Sequence, residues 1–188
     1  MLADRHVLEL GSGTGLAGLY AAHQGAHVLL TDVRAVTGLI QHNIDANCTA
    51  GNCTGQWKGA VVIGQGSAAC MALDWMQDVL TQSQFGGQDL SQTEYVIAAE
   101  VIWLQELLQP FVDTLAYVLK QPQRPVCYMT YTRRGTASSN IFTSEAMILQ
   151  AMQSAGCSVE HVPEFDAVTE DEEDVFMWRV SALEASQN

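Results

Sequence analysis

A run of alternating glycines flanked by two carboxylates stands near the start of the chain: Glu9, then Gly11-Ser12-Gly13-Thr14-Gly15, then Asp32. Glycines at alternate positions let the backbone turn tightly and let a ligand approach it closely. Where such a loop joins a strand to a helix, the unpaired N–H groups at the helix start can receive an anion or a nucleotide. Two registers overlap. Gly11, Gly13 and Gly15 make GxGxG, whereas Gly13, Gly15 and Gly18 make GxGxxG, the dinucleotide pattern. Glu9 favours the first, because a carboxylate facing the ligand suits an ammonium group and would repel a pyrophosphate. Its alternative duty is that of a solvated strand-end acid. Asp32 ends the next apolar run, where it can accept hydrogen bonds from both hydroxyls of a ribose, or else cap a helix.

The elements that must hold these residues alternate along the chain. Apolar runs at 6–10, 27–31, 68–73, 95–99 and 125–130 read as buried strands. Between them, apolar residues at helical spacing predict helices over 16–24, 35–50 and 105–120, with a short one over 76–81. Pro110 predicts a kink or a late start in the third of these. The glycine-rich stretch 51–66 has no clear assignment. A helix over 141–155, stopped by Gly156, precedes two last strands at 157–162 and 175–182, with an acidic, solvated loop at 170–174 between them. This alternation predicts a mostly parallel sheet with helices on both faces and an antiparallel edge strand. One domain over 1–183 with a frayed tail at 184–188 is expected.

Composition narrows the classes. Eight Lys and Arg stand against 21 Asp and Glu, a formal charge of −13. Such a surface repels phosphate backbones, so no nucleic-acid partner is expected, whereas a basic protein is compatible with it. Five cysteines without a CxxC pair suggest neither a disulfide framework nor a metal site, and free thiols fit a reducing compartment. No run is apolar enough to cross a bilayer, and Asp4, Arg5, His6 and Glu9 interrupt any leader-like stretch. The two glycosylation-type triplets at Asn47 and Asn52 then read as chance matches. A cytoplasmic protein is expected, with the nucleus also open.

The segment Val7-Leu8-Glu9-Leu10-Gly11-Ser12-Gly13-Thr14-Gly15-Leu16-Ala17-Gly18 resembles the cofactor loop of the seven-strand (class I) protein-lysine methyltransferases, which use S-adenosyl-L-methionine. Gly25-Ala26-His27-Val28 running into Thr31-Asp32 and the helical stretch Leu39 to Asn47 are similar to the same family. Leu73-Asp74-Trp75 resembles its adenine-side motif, and Ala98-Ala99-Glu100-Val101-Ile102-Trp103 stands where its motif after the fourth strand belongs. The resemblance implies a Rossmann-like α/β sandwich built on a mostly parallel seven-stranded sheet. It implies that Gly11, Ser12, Gly13 and Gly15, with Glu9, line the methionine and ribose portion of the cofactor. Asp32 would hold the ribose, Trp75 would lie against the adenine, and Ala99 would sit beside the cofactor.

On the substrate side the family carries Asp-x-x-Tyr, and this chain has Glu100-Val101-Ile102-Trp103. The pair still makes chemical sense. Glu100 would orient an amine or help it shed a proton, and Trp103 would face a cationic acceptor. The resemblance therefore implies a protein partner with an accessible lysine. Tyr131 and Arg133-Arg134, after the fifth strand, are further candidates at the carboxyl edge. The family's segment ahead of the first strand, with a tryptophan that helps cover the cofactor, is expected to be missing. A small-molecule methyltransferase and a non-catalytic cofactor-binding or interaction module are the competing readings.

Overall fold

The computed structural model describes residues 2–52, 57–133, 141–168 and 174–183. Arg134, most of the acidic loop and the tail at 184–188 lie outside them. Strand β1 (His6–Leu10) is buried along its whole length, as suits the middle of a parallel sheet covered on both faces. It leads through the glycine loop into α1 (Leu16–His23), then β2 (His27–Asp32), α2 (Arg34–Asn47), β3 (Ala50–Asn52), β4 (Val61–Ile63) and β5 (Gly66–Ala72). There follow α3 (Val79–Gly86), β6 (Tyr95–Ala99), α4 (Gln105–Leu119), β7 (Val126–Thr132), α5 (Glu145–Ser154), β8 (Cys157–His161), β9 (Ala167–Val168) and β10 (Asp174–Ala182).

The strands form one sheet in the order β3-β4-β5-β2-β1-β6-β7-β10-β8, with β9 beside β10. From β5 to β7 the neighbours are parallel, whereas β10 runs antiparallel between β7 and β8. This is the expected Rossmann-like sandwich. The unassigned glycine-rich stretch supplies β4 and the end of β3, an antiparallel margin beyond β5. The order reverses at β1, with β2 on one side and β6 on the other, and open α/β sheets bind ligands in the crevice above such a point. The registers Leu10↔Thr31, Asp32↔Ala72 and Ala99↔Thr130 bring the carboxyl ends of these strands level.

Helix boundaries move where caps act. The expected helix over 76–81 starts later, at Val79, because the Asp78 carboxylate accepts from the Thr81 amide at 2.7 Å. The helix expected from 141 starts at Glu145, behind the capping Ser144. Pro110 neither delays nor ends α4, which begins at Gln105. The proline lies in the second turn, where its missing N–H deprives only the carbonyl of exposed Glu106. A 3-10 turn at Pro163–Phe165 and β9 fill the gap between the last two long strands.

Leu8, Val96, Met129 and Trp178 on one sheet face pack with Phe111 and Leu115 of α4 and Ile148 and Met152 of α5. On the other face Val7, Val28 and Leu30 meet Ala21 and Ala22 of α1 and Ile40 and Ile44 of α2. That second cover stops short, because α1 and α2 pack chiefly on β1, β2 and β5. Tyr95, Ile97 and Ala99 of β6, Tyr128 of β7 and Met177 of β10 line an open cavity of about 500 Å³ beside Ala17. The outer side of α1 also shows Leu16 and Tyr20 to solvent. No described helix is long and apolar enough to cross a membrane.

Candidate functional site

The glycine loop is tied to β2 through Ser12 and Gly13. Gly11, Gly13 and Gly15 have φ of +68°, +56° and +80°, left-handed conformations that only glycine adopts without steric cost. The Ser12 N–H donates to the Thr31 carbonyl at 2.9 Å, and the Thr31 N–H donates to Ser12 Oγ at 3.0 Å. The Thr31 hydroxyl donates to the Glu9 carbonyl at 2.7 Å. Asp32 takes the Gly13 N–H on one carboxylate oxygen at 2.8 Å and the Val33 N–H on the other at 2.7 Å. An ionised carboxylate has about four lone-pair sites, so each oxygen keeps capacity for one hydroxyl of a ribose. Asn43 of α2 donates to the Thr14 carbonyl at 2.8 Å and braces the loop from behind. Its sole sequence signal is its place in the family-like stretch 39–47.

Glu9 does not face the crevice as its position suggests. Its side chain turns beneath the loop, 3% exposed, and accepts from the Gly18 N–H at 3.2 Å. A side chain at position 18 would strike that carboxylate, so the third glycine of the competing register serves helix packing. Burial pushes the Glu9 carboxyl up to about 7 from an ordinary 4.5, with Asp32 adding repulsion and Ser12 and Gly18 pulling the other way. A carboxyl held higher in the folded than in the unfolded state costs stability as pH rises between those two values. The change from 4.5 to about 7 corresponds to about 3 kcal/mol. Glu9→Gln is therefore expected to gain stability relative to the parent between pH 5 and pH 8, read by denaturant titration at both. Parallel curves for the two proteins would contradict it.

Above the loop lies a cavity of about 280 Å³ whose walls bring together Gly11, Asp32, Trp75, Glu100 and Trp103. Val33, Met76 and Leu107 also line it, and nothing but their apolar character marked them in the sequence. Trp75 is half-buried and meets Phe111 edge-on at 5.1 Å. Its Nε1 is buried without a hydrogen-bond partner among the described residues, a donor left over on a cavity wall. Gly11 must be small as well as left-handed, since a Cβ there would stand 2.7 Å from Val101 and 3.1 Å from the Trp75 ring.

Glu100 adopts φ +57°, uncommon for a residue with a side chain. Its neighbours hold it there: its N–H meets the Thr130 carbonyl and hydroxyl at 3.3 and 3.2 Å, and its carboxylate accepts the Thr132 N–H at 3.1 Å. Strain fixed in this way at a cavity wall points to function. Three carboxylates, from Asp32, Asp74 and Glu100, line the cavity, and no Lys or Arg among the described residues does. The site therefore suits a cationic ligand.

Some expected residues stand apart. Ala99 lines the open cavity on the other sheet face. Ser12 is buried, and Gly13 and Gly15 shape the loop without lining the cavity. Tyr131 is withdrawn from the edge: its ring stacks on Trp178 at 5.4 Å and its hydroxyl donates to the Thr143 carbonyl at 2.9 Å. Arg133 pairs with Asp174 at 3.1 Å and Glu145 at 3.3 Å and lies over Phe176.

Residues 1–147 match the sequence profile of the lysine methyltransferase family, so the chain belongs to that family. Among curated relatives, EEF1A lysine methyltransferase 3 of Xenopus tropicalis is 28% identical over 138 residues, covering 73% of this chain and 52% of the relative. Protein N-lysine methyltransferase METTL21A of Danio rerio is 29% identical over 117 residues, 62% of this chain and 45% of the relative. Protein-lysine N-methyltransferase EFM6 of Saccharomyces cerevisiae is 26% identical over 147 residues, 73% and 54%. The chain thus spans about half the length of the curated relatives it matches. Among solved structures, a SAM-dependent methyltransferase from Aquifex aeolicus superposes with a TM-score of 0.63 at 12% identity, over 97% of this chain and 85% of that one. Magnesium protoporphyrin IX methyltransferase from Synechocystis with bound SAH gives 0.61 at 15%, over 96% and 75%. At such identities the likeness establishes the fold.

Proposed function

We propose that this chain is an S-adenosyl-L-methionine-dependent N-methyltransferase acting on a lysine side chain of a protein partner. The observation that carries the reading is the one cavity shared by Gly11, Asp32, Trp75, Glu100 and Trp103. These residues fit the cofactor. Asp32 has lone pairs to spare for the ribose, Trp75 offers flat apolar area to the adenine, and the acidic lining suits a sulfonium. Gly11, Ser12, Gly13 and Gly15 would shape the cradle for its methionine and ribose portion, with Glu9 beneath. When bound, the cofactor supplies an electrophilic methyl group. The chain's own task is to hold a neutral amine in line with it. A lysine amine has a pKa of about 10.4 in water, so a proton must leave. To Glu100 we assign the hydrogen bond that orients the amine and the acceptance of that proton. Trp103, at the rim, would face the incoming ammonium. The relatives' names favour a protein acceptor, and the charge of −13 favours a basic one. The free thiols of Cys70, Cys127 and Cys157 suit the cytoplasm or the nucleus.

Incubation with tritiated S-adenosyl-L-methionine and a cell lysate tests this. Label is expected on lysine in the protein fraction, and Glu100→Gln is expected to reduce it about 100-fold or more, as for loss of a general base. Label confined to small metabolites would move the assignment to a small-molecule acceptor.

A further inference from the structure

Beside the cavity mouth runs a short stretch that the sequence pattern assigns to a helix and the structure does not. Residues 141–143 lie along 102–105 and are stitched to them. Leu104 and Phe142 form an isolated antiparallel bridge. The Gln105 N–H donates to the Ile141 carbonyl at 3.0 Å, and Gln105 Nε2 to the Phe142 carbonyl at 2.9 Å. The Thr143 N–H donates to the Trp103 carbonyl at 3.1 Å, its hydroxyl to the Ile102 carbonyl at 2.6 Å, and the Tyr131 hydroxyl closes on the Thr143 carbonyl. Apolar side chains stand on this rigid base. The Trp103 and Phe142 rings lie 6.5 Å apart, Trp103 is 41% exposed and Ile141 is 62% exposed. Trp103 is at once the cavity wall and the start of this shelf.

Aromatic and aliphatic groups carried on a backbone already fixed by hydrogen bonds can be covered without the cost of ordering that backbone, which makes them effective anchors for a partner. We propose that the Trp103–Phe142–Ile141 shelf reads a large apolar side chain next to the acceptor lysine in an extended segment of the substrate protein. This rests on the lysine reading of the same cavity. Distance sets the spacing. Trp103 follows Glu100 by three residues, at most about 11 Å of chain. An extended peptide advances about 3.3 Å per residue, so a side chain two or three positions from a lysine held at Glu100 falls on the shelf. The chemistry selected is a lysine for the acidic cavity and a leucine-, isoleucine- or phenylalanine-sized group for the shelf.

The test uses fluorescein-labelled nine-residue peptides of serine and glycine with a central lysine, carrying leucine, phenylalanine, glutamate or serine at each position from −3 to +3. Binding to the whole protein is followed by anisotropy in the presence of S-adenosylhomocysteine, and methyl transfer is measured separately with tritiated cofactor. Leucine or phenylalanine two or three positions from the lysine is expected to tighten binding about tenfold over serine, consistent with burying part of one apolar side chain. Ile141→Ser, at an exposed position, and Phe142→Ala are expected to bring that preference within twofold, with cofactor affinity unchanged as the check on folding. Flank-dependent binding without transfer would uphold the shelf and sink the lysine reading. Transfer without flank preference, or a preference that survives in both variants, would overturn the shelf, as would failure to bind any peptide.

Discussion

Replacing Asp32 by alanine is expected to weaken S-adenosyl-L-methionine binding about 100-fold or more, measured by calorimetric titration. The carboxylate lines the cavity at the end of β2 with acceptor capacity to spare, and it also fixes the Gly13 N–H of the loop. Hydrogen bonds to a charged group contribute about 1.5–3 kcal/mol each, so losing two to a ribose reaches that factor before the loop relaxes. Asp32→Asn keeps the shape and one acceptor oxygen, and should fall between the parent and the alanine variant. The aspartate stands at the edge of the crevice, so thermal stability should change far less than affinity. Equal affinity in parent and Asp32→Ala would remove Asp32 from the site. Tight binding of NAD by the parent would overturn the choice of cofactor, since the competing GxGxxG register serves that ligand.

Gly66→Ala should cost the fold more than any surface change. Gly66 opens β5 against the turn that closes α1, and an added Cβ would strike the Ala26 carbonyl oxygen and stand 2.6 Å from that of Ala22. Neither obstacle is a side chain that can rotate away. Ala26 cannot retreat, because its carbonyl already receives the Ser67 N–H at 3.0 Å. Overpacking against flexible side chains costs about 1–3 kcal/mol. Against backbone the upper end applies, a melting-temperature loss of about 10 °C for a chain of this length. A melt followed by circular dichroism decides it. A shift under about 2 °C, corresponding to less than 1 kcal/mol, would show that the turn yields.

Patterns that repeat along the chain were legible, and partners that meet only in three dimensions were not. The runs around Val7–Leu10 and Val28–Leu30 are apolar on both faces, and that alone marks central strands. Glycine spacing located the loop, and Asp32 and Trp75 line one cavity at the ends of β2 and β5. Glu9 shows the limit. Its position at a strand end says nothing about whether the carboxylate turns to the crevice or under the loop, and the Gly18 N–H nine residues on decides for the second. Tyr131 is similar: a rim aromatic by position, it is drawn into the core by Trp178 and the Thr143 carbonyl. The 141–143 segment carries helix-like spacing, yet backbone bonds to 102–105 hold it extended until Ser144 offers a cap. Such long-range pairing leaves no periodic trace.

The open apolar face over β6, β7 and β10 gives the net charge a second meaning. Tyr128, with Leu16 and Tyr20 on α1, leaves oily surface in contact with water on a molecule carrying −13. Mutual repulsion between copies then acts as a colloidal stabiliser, reaching about 30 Å at 0.01 M salt and only about 3 Å at 1 M. Dispersal of this chain is thus expected to depend on ionic strength: dilute buffer keeps copies apart, and concentrated sulfate or phosphate both screens the repulsion and strengthens the attraction between the exposed faces.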